Sequence, residues 1–171
     1  LDNNVLSLNA EAVLLNYNQE IITKKLLQYS KNPETRHNLK VAIINFSQNY
    51  PNDQIVKMLI SNIADPELKI SNASCDSLIK ISKIDPLRKW HLQYIEQNIQ
   101  ILSQRAFQLH LLKEDLSSDL KALLILDHIH HELKSIRHLI LKLGTLNDPN
   151  IPIEKYLRYV DSKDPELLPL V

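Results

Sequence analysis

Apolar residues recur along this chain at helical spacing almost from end to end. From Gln19 to Ser30 the positions Ile22, Leu26 and Tyr29 keep the three-and-four spacing of one helix face. A second face follows at Leu39, Ala42, Ile43 and Phe46, and Tyr50-Pro51-Asn52 closes it, because proline restricts the residue before it. Val56, Leu59, Ile60 and Ile63 predict a short helix from about Asp53, and Ile70, Ala73, Leu78 and Ile81 predict its partner. Ser71, Ala73, Ser74, Cys75 and Ser77 crowd that partner with small side chains and let a neighbouring helix approach closely. The rhythm then lengthens. Ile95, Ile99, Leu102, Ala106 and Leu109 run without a breaker to about Lys113, and Lys113 to Ser118 reads as a turn. Ser117 or Ser118 is expected to cap a second long helix carrying Ala122, Leu126, Ile129, Leu133, Ile136, Ile140 and Leu143. Gly144 falls where a left-handed residue commonly ends a helix. These two long helices predict an antiparallel hairpin over 86–144. After a loop from Asn147 to Pro152, Ile153, Tyr156, Leu157 and Val160 predict a further short helix. At the other end, a short helix fits around Asn9 to Leu15.

One small motif punctuates this pattern: Asn32-Pro33-Glu34, Asp65-Pro66-Glu67 and Asp164-Pro165-Glu166. It reads as a helix start. Asn or Asp at the N-cap accepts from an unpaired backbone N–H, proline at the first position gives up only a donor that has no partner there, and glutamate suits the positive end of the helix dipole. Pro169 departs from the plan, since proline is poorly tolerated that far into a helix. Pro33 and Pro66 lie 33 residues apart (66 − 33), a period typical of stacked helical repeats. Two short helices per repeat bury their apolar faces only by stacking on neighbours. The expected fold is therefore all-α: a single curved α-solenoid domain over 1–171, of about eight to ten helices. It comprises short two-helix repeats at 19–83, the long hairpin at 86–144, and the start of a further repeat at 152–171.

Helix pairs whose second helix opens on Asn32-Pro33-Glu34 with Arg36, and on Asp65-Pro66-Glu67 with Lys69, resemble HEAT repeats, and the resemblance covers about 19–83. It implies an α-α superhelix of stacked antiparallel helix pairs and a non-catalytic protein-interaction or scaffold module. Leu133 to Val171, with Asp148-Pro149 and Ser162-Lys163-Asp164-Pro165-Glu166, is similar to the HEAT-like extensions of bacterial transporter proteins of the ATP/ADP translocase type. That likeness implies the alternative: a cytoplasmic regulatory domain of a membrane transporter, whose partner is the membrane domain of the same polypeptide. Neither resemblance carries over a functional residue.

Composition narrows the classes further. Only one glycine occurs, so there is no glycine-rich phosphate loop or dinucleotide fingerprint. Aromatics are 5% of the chain, which leaves Leu and Ile to build the core. Lys plus Arg equals Asp plus Glu at 20 each, so the electrostatic footprint of a nucleic-acid binder is missing, and no nucleic-acid partner is expected. Cys75 is the one cysteine; without an internal disulfide the chain suits a reducing compartment, and a cytoplasmic location is expected. No apolar run approaches the roughly 18 residues of a membrane span, so no direct membrane insertion is expected. Leu1-Asp2-Asn3-Asn4 is neither a signal peptide nor a natural start, and the chain is expected to be a segment of a longer protein.

The richest chemistry lies at Asp127-His128-Ile129-His130-His131-Glu132, with His138 beyond. His128, His131 and His138 share a helix side, and Asp127/His131 and His128/Glu132 are i, i+4 pairs able to offer two ligands to one metal. The order differs from the HExxH of zinc peptidases, and a solvated polar face is the preferred reading, so no metal is expected. Cys75 has neither a base nor an oxyanion donor nearby in sequence and reads as a small core residue. No catalytic residue and no cofactor are expected. The preferred protein-contact residues are Arg88, Lys89, Trp90 and Tyr94, where aromatic and basic side chains cluster, with Tyr156 and Tyr159 as a second patch. The competing reading has Trp90 and Tyr94 filling the seam between repeats.

Overall fold

The computed structural model describes residues 18–85, 92–117 and 120–146, together with Pro152 and Leu157. The expected helix around Asn9 to Leu15, the Asp148-Pro149 loop and the third Asp-Pro-Glu copy lie outside the described residues. Every described element is helical: α1 (Gln19–Lys31), α2 (His37–Ser47), α3 (Asp53–Ser61), α4 (Leu68–Ile84), α5 (Leu92–Leu116), a 3-10 turn (Leu120–Ala122) and α6 (Leu123–Gly144). The chain is all-α, and among the described residues no helix is long and apolar enough to cross a membrane. It divides after Ile81 into two compact units.

In the first unit, α1 starts where Asn18 caps it, its side-chain oxygen accepting from the Glu20 N–H at 2.9 Å. Ile22 and Leu26 are buried as expected, but Tyr29 is exposed and Thr23 takes the third buried place. Thr23 tolerates burial because its hydroxyl accepts a 2.9 Å hydrogen bond from the Asn52 side-chain amide. Asn52 also caps α3 by accepting from the Ile55 N–H at 3.0 Å, so one residue starts α3 and ties it to α1. α3 buries Ile55, Val56, Met58, Leu59 and Ile60 and exposes one polar stripe, Asp53, Gln54, Lys57 and Ser61. A helix apolar on all but one stripe packs against neighbours on more than one side.

The recurring motif corrects the sequence reading. Asn32 accepts from the Glu34 N–H (2.9 Å) and Asp65 from the Glu67 N–H (2.8 Å), so both copies adopt the same local turn. Neither opens a helix directly: α2 begins at His37 and α4 at Leu68. In the first copy Thr35 is buried and Arg36 is extended (φ −56°, ψ 142°), which interrupts the helical turn. The buried face of α2 is also turned. Leu39 and Ala42 are exposed, whereas Ile43, Ile44, Phe46 and Ser47 are buried. Ser47 tolerates burial by donating to the Ile44 carbonyl at 2.7 Å. On α4 the expected Ile70, Ala73, Leu78 and Ile81 are buried, with Ser71, Ser74, Cys75 and Ser77 buried among them. Ser77 donates to the carbonyl of Ile44, 33 residues earlier, at 3.2 Å. His37 at the start of α2 sits 3.4 Å from the Glu67 carboxylate at the approach to α4. α2 and α4 therefore lie side by side and run the same way, and α1 contacts both α2 and α3.

In the second unit, α5 continues through the expected turn at Lys113 to Leu116. Ser117 does not cap α6; its hydroxyl turns back and donates to the Glu114 carbonyl at 2.7 Å. The chain passes through the 3-10 turn before α6 begins at Leu123. Six residues join the two helices, whereas a 25-residue helix is about 37 Å long, so contacting neighbours must run antiparallel. Ile95 and Leu102 of α5 are buried, as are Ile129, Leu133, Ile136, Leu139 and Leu143 of α6. Gly144 is the last residue of α6 and has no positive φ, so no left-handed cap ends the helix. Thr145 ends it instead, its hydroxyl donating to the Lys142 carbonyl at 2.7 Å.

Candidate protein-contact surfaces

Of the preferred contact residues, Tyr94 is described; Arg88, Lys89, Trp90, Tyr156 and Tyr159 lie outside the described residues. Tyr94 stands in the first turn of α5 with 45% of its surface exposed. Its carbonyl accepts from the Asn98 side-chain amide at 2.7 Å, which fixes the backbone beneath the ring. Further along α5 the large apolar side chains of Ile101, Phe107, Leu111 and Leu112 are exposed, and α6 opens on Leu123, Leu124 and Ile125, also exposed. Sequence reasoning passed over these residues. The readable signal is a run of adjacent apolar residues, Leu111-Leu112 and Leu123-Leu124-Ile125, wider than one helix face buries.

The histidine-rich stretch lies on α6 with both expected pairs formed. His131 Nε2 is 3.6 Å from Asp127 Oδ1, and His128 Nε2 is 3.7 Å from Glu132 Oε2. Both histidines are well exposed, and among the described residues no group of three or more His, Cys, Asp or Glu side chains is arranged to hold a metal. Glu132 is engaged elsewhere. It faces α5, where Arg105 Nε donates to its Oε1 at 2.7 Å and the guanidinium Nη2 lies 2.5 Å from the same oxygen. Here the acidic residue clamps two helices together. Cys75 is fully buried and forms no disulfide, and its burial shields the thiol from reagents in the folded chain.

A second surface lies in the first unit, along the seam of α1 and α3. Two depressions of about 680 and 410 Å³ share Leu27 and Gln54 and so form one groove. On α1 it is lined by Glu20, Thr23, Lys24, Leu27 and Lys31, and on α3 by Gln54, Lys57, Met58 and Ser61. Both sets follow helical three-and-four spacing, so each is one stripe of its helix. Comparison with known protein families, with curated proteins and with solved structures finds no match for this chain.

Proposed function

We propose that this chain is a HEAT-like α-solenoid serving as a non-catalytic protein-interaction or scaffold module. The observation that supports this most is the hydrogen bond from Ser77 to the Ile44 carbonyl. Its partners are one sequence period apart, and the two Asx-Pro-Glu turns share that period and the same side-chain hydrogen bond to the glutamate N–H. Equivalent helices lying side by side are what repeat stacking requires, and stacking leaves an extended flank for a partner. The proposed contact residues are Tyr94 in the first turn of α5, Arg88, Lys89 and Trp90 shortly before it in sequence, and Tyr156 and Tyr159; the exposed apolar residues of α5 extend the surface at Tyr94.

The test places a photo-crosslinking amino acid at position 94 of the full chain in its source cells. A partner captured there is then titrated against the wild type and the Tyr94→Ala variant. Loss of an aromatic anchor is expected to weaken binding by about 1–2 kcal/mol, roughly ten-fold, with the melting temperature unchanged. Binding that is indifferent to Tyr94→Ala and to Trp90→Ala overturns this contact surface.

A further inference from the structure

We infer that the α1–α3 groove is a docking site for an acidic peptide segment of a partner protein; the inference rests on the protein-contact reading above and names the partner's chemistry. The chain as a whole is neutral, yet among the described residues the groove carries Lys24, Lys31 and Lys57 against one carboxylate, Glu20. Among the described residues none of these three ammonium groups has an ion-pair partner. Lys24 and Lys57 are 33 residues apart (57 − 24), so each helix pair contributes one cation at the same repeat position. Lys24 and Lys31 are seven residues apart on α1, about 10 Å along the axis.

That spacing is close to the roughly 9 Å between carboxylates three residues apart on a peptide in the polyproline II conformation, where every third side chain shares one face. Between the cations the floor is apolar, formed by Leu27 and the buried Met58. At its edges Gln54 offers a side-chain amide to a peptide backbone, and the Ser61 hydroxyl, which donates to the Met58 carbonyl at 2.7 Å, keeps its lone pairs as an acceptor. A polyanion such as RNA calls for more cations along its track and for stacking aromatics, and among the described residues no aromatic lines the groove. Charge complementarity together with an apolar floor selects an acidic peptide with one or two aliphatic anchors.

The experiment is fluorescence anisotropy on the full chain. The probe is a fluorescein-labelled peptide of about twelve residues, with Glu at every third position and Leu between, which puts the carboxylates on one face in the polyproline II conformation and is long enough to span the groove. The double charge reversal Lys31→Glu with Lys57→Glu is expected to weaken binding at least ten-fold. The control pair Lys69→Glu with Lys80→Glu, exposed on α4, is expected to change it less than two-fold. Circular dichroism melts verify that both variants stay folded. Equal loss in the two variants, no binding of the acidic peptide, or displacement of it by an equimolar oligouridylate overturns the proposal. A photo-crosslinker at position 57 separates the two readings. Capture of a protein at position 94 but not at 57 ends the groove and leaves the protein-contact reading standing; capture at neither ends both.

Discussion

Two serines one turn apart on α4 have opposite energetic roles. The Ser74 hydroxyl oxygen is fully buried without a hydrogen-bond partner, whereas Ser77 donates to the Ile44 carbonyl. A buried hydroxyl lacking a partner costs about 1–3 kcal/mol, so Ser74→Ala is expected to stabilise the fold by about 1 kcal/mol. Ser77→Ala is expected to destabilise it by only about 0.5–1 kcal/mol, because the Ile44 carbonyl keeps the Ser47 hydroxyl as a donor. Urea denaturation of the two variants gives both signs in one experiment. Tyr50 makes a different residue-level case. It is buried with its ring 5.6 Å from that of Phe46, and desolvation raises its phenol pKa above the ordinary 10.0. The unfolded chain therefore loses this proton first as pH rises. Stability from Tyr50 is complete below pH 10 and falls as pH climbs from there toward the raised value. Melting temperatures measured from pH 8 to 11 are expected to decline less steeply in Tyr50→Phe than in the wild type. Parallel curves end this assignment.

At the scale of elements, the helices were legible because burial follows the three-and-four rhythm that the sequence displays. Ile43, Phe46, Leu59, Leu78, Ile129 and Leu143 are all buried where that rhythm puts them. Helix ends were less legible, since the chemistry that starts a helix also closes a turn. Asn32 and Asp65 accept from the second backbone N–H onward in either case, and Ser117 spends its hydroxyl on the helix behind it. Gly144 makes the same point with a measurable consequence. It lies in ordinary helical backbone, and a Cβ placed there meets nothing within 4 Å. Gly144→Ala is accordingly expected to stabilise α6 by about 0.5–1 kcal/mol, an increase in denaturation midpoint with unchanged m-value. A loss of stability would show that a left-handed cap is needed after all. Between elements, the Arg105–Glu132 pair joins α5 to α6, and the Glu132 side chain is only 13% exposed. Arg105→Ala strands a largely buried carboxylate and is expected to cost about 1–3 kcal/mol. Replacing both residues by Leu is expected to recover most of that loss, giving a coupling energy of at least about 1 kcal/mol in a double-mutant cycle.

For the whole molecule, what the sequence withheld is what stacking brings together. Lys24 and Lys57 share a groove only because α1 and α3 lie side by side, and a 33-residue separation looks in sequence like two unrelated surface lysines. Ser77 and Ile44 meet for the same reason. The distribution of burial then sets where the molecule resists opening. In the first unit it concentrates on α3 and α4, where Ile55, Leu59 and the following Ile63, and then Cys75, Leu78 and Ile81, are fully buried. In the second it concentrates on Ile136, Leu139 and Leu143 of α6, while Leu124, 86% exposed, opens the same helix. Amides open with free energies that track the buried apolar contacts around them, from near zero at frayed ends to the global value in the core. Hydrogen exchange is therefore expected to show one slow centre in α3 and α4 and another in the second half of α6. The first turn of α6 is expected to exchange at least about 100-fold faster, the ratio that a local difference of roughly 2.7 kcal/mol produces. Leu59→Ala, which removes a fully buried side chain at a cost of about 2–5 kcal/mol, is expected to speed exchange throughout α3. Uniform protection along α6, or an α3 no slower than α1, would contradict this ordering. It would also remove the rigid seam on which the α1–α3 groove depends.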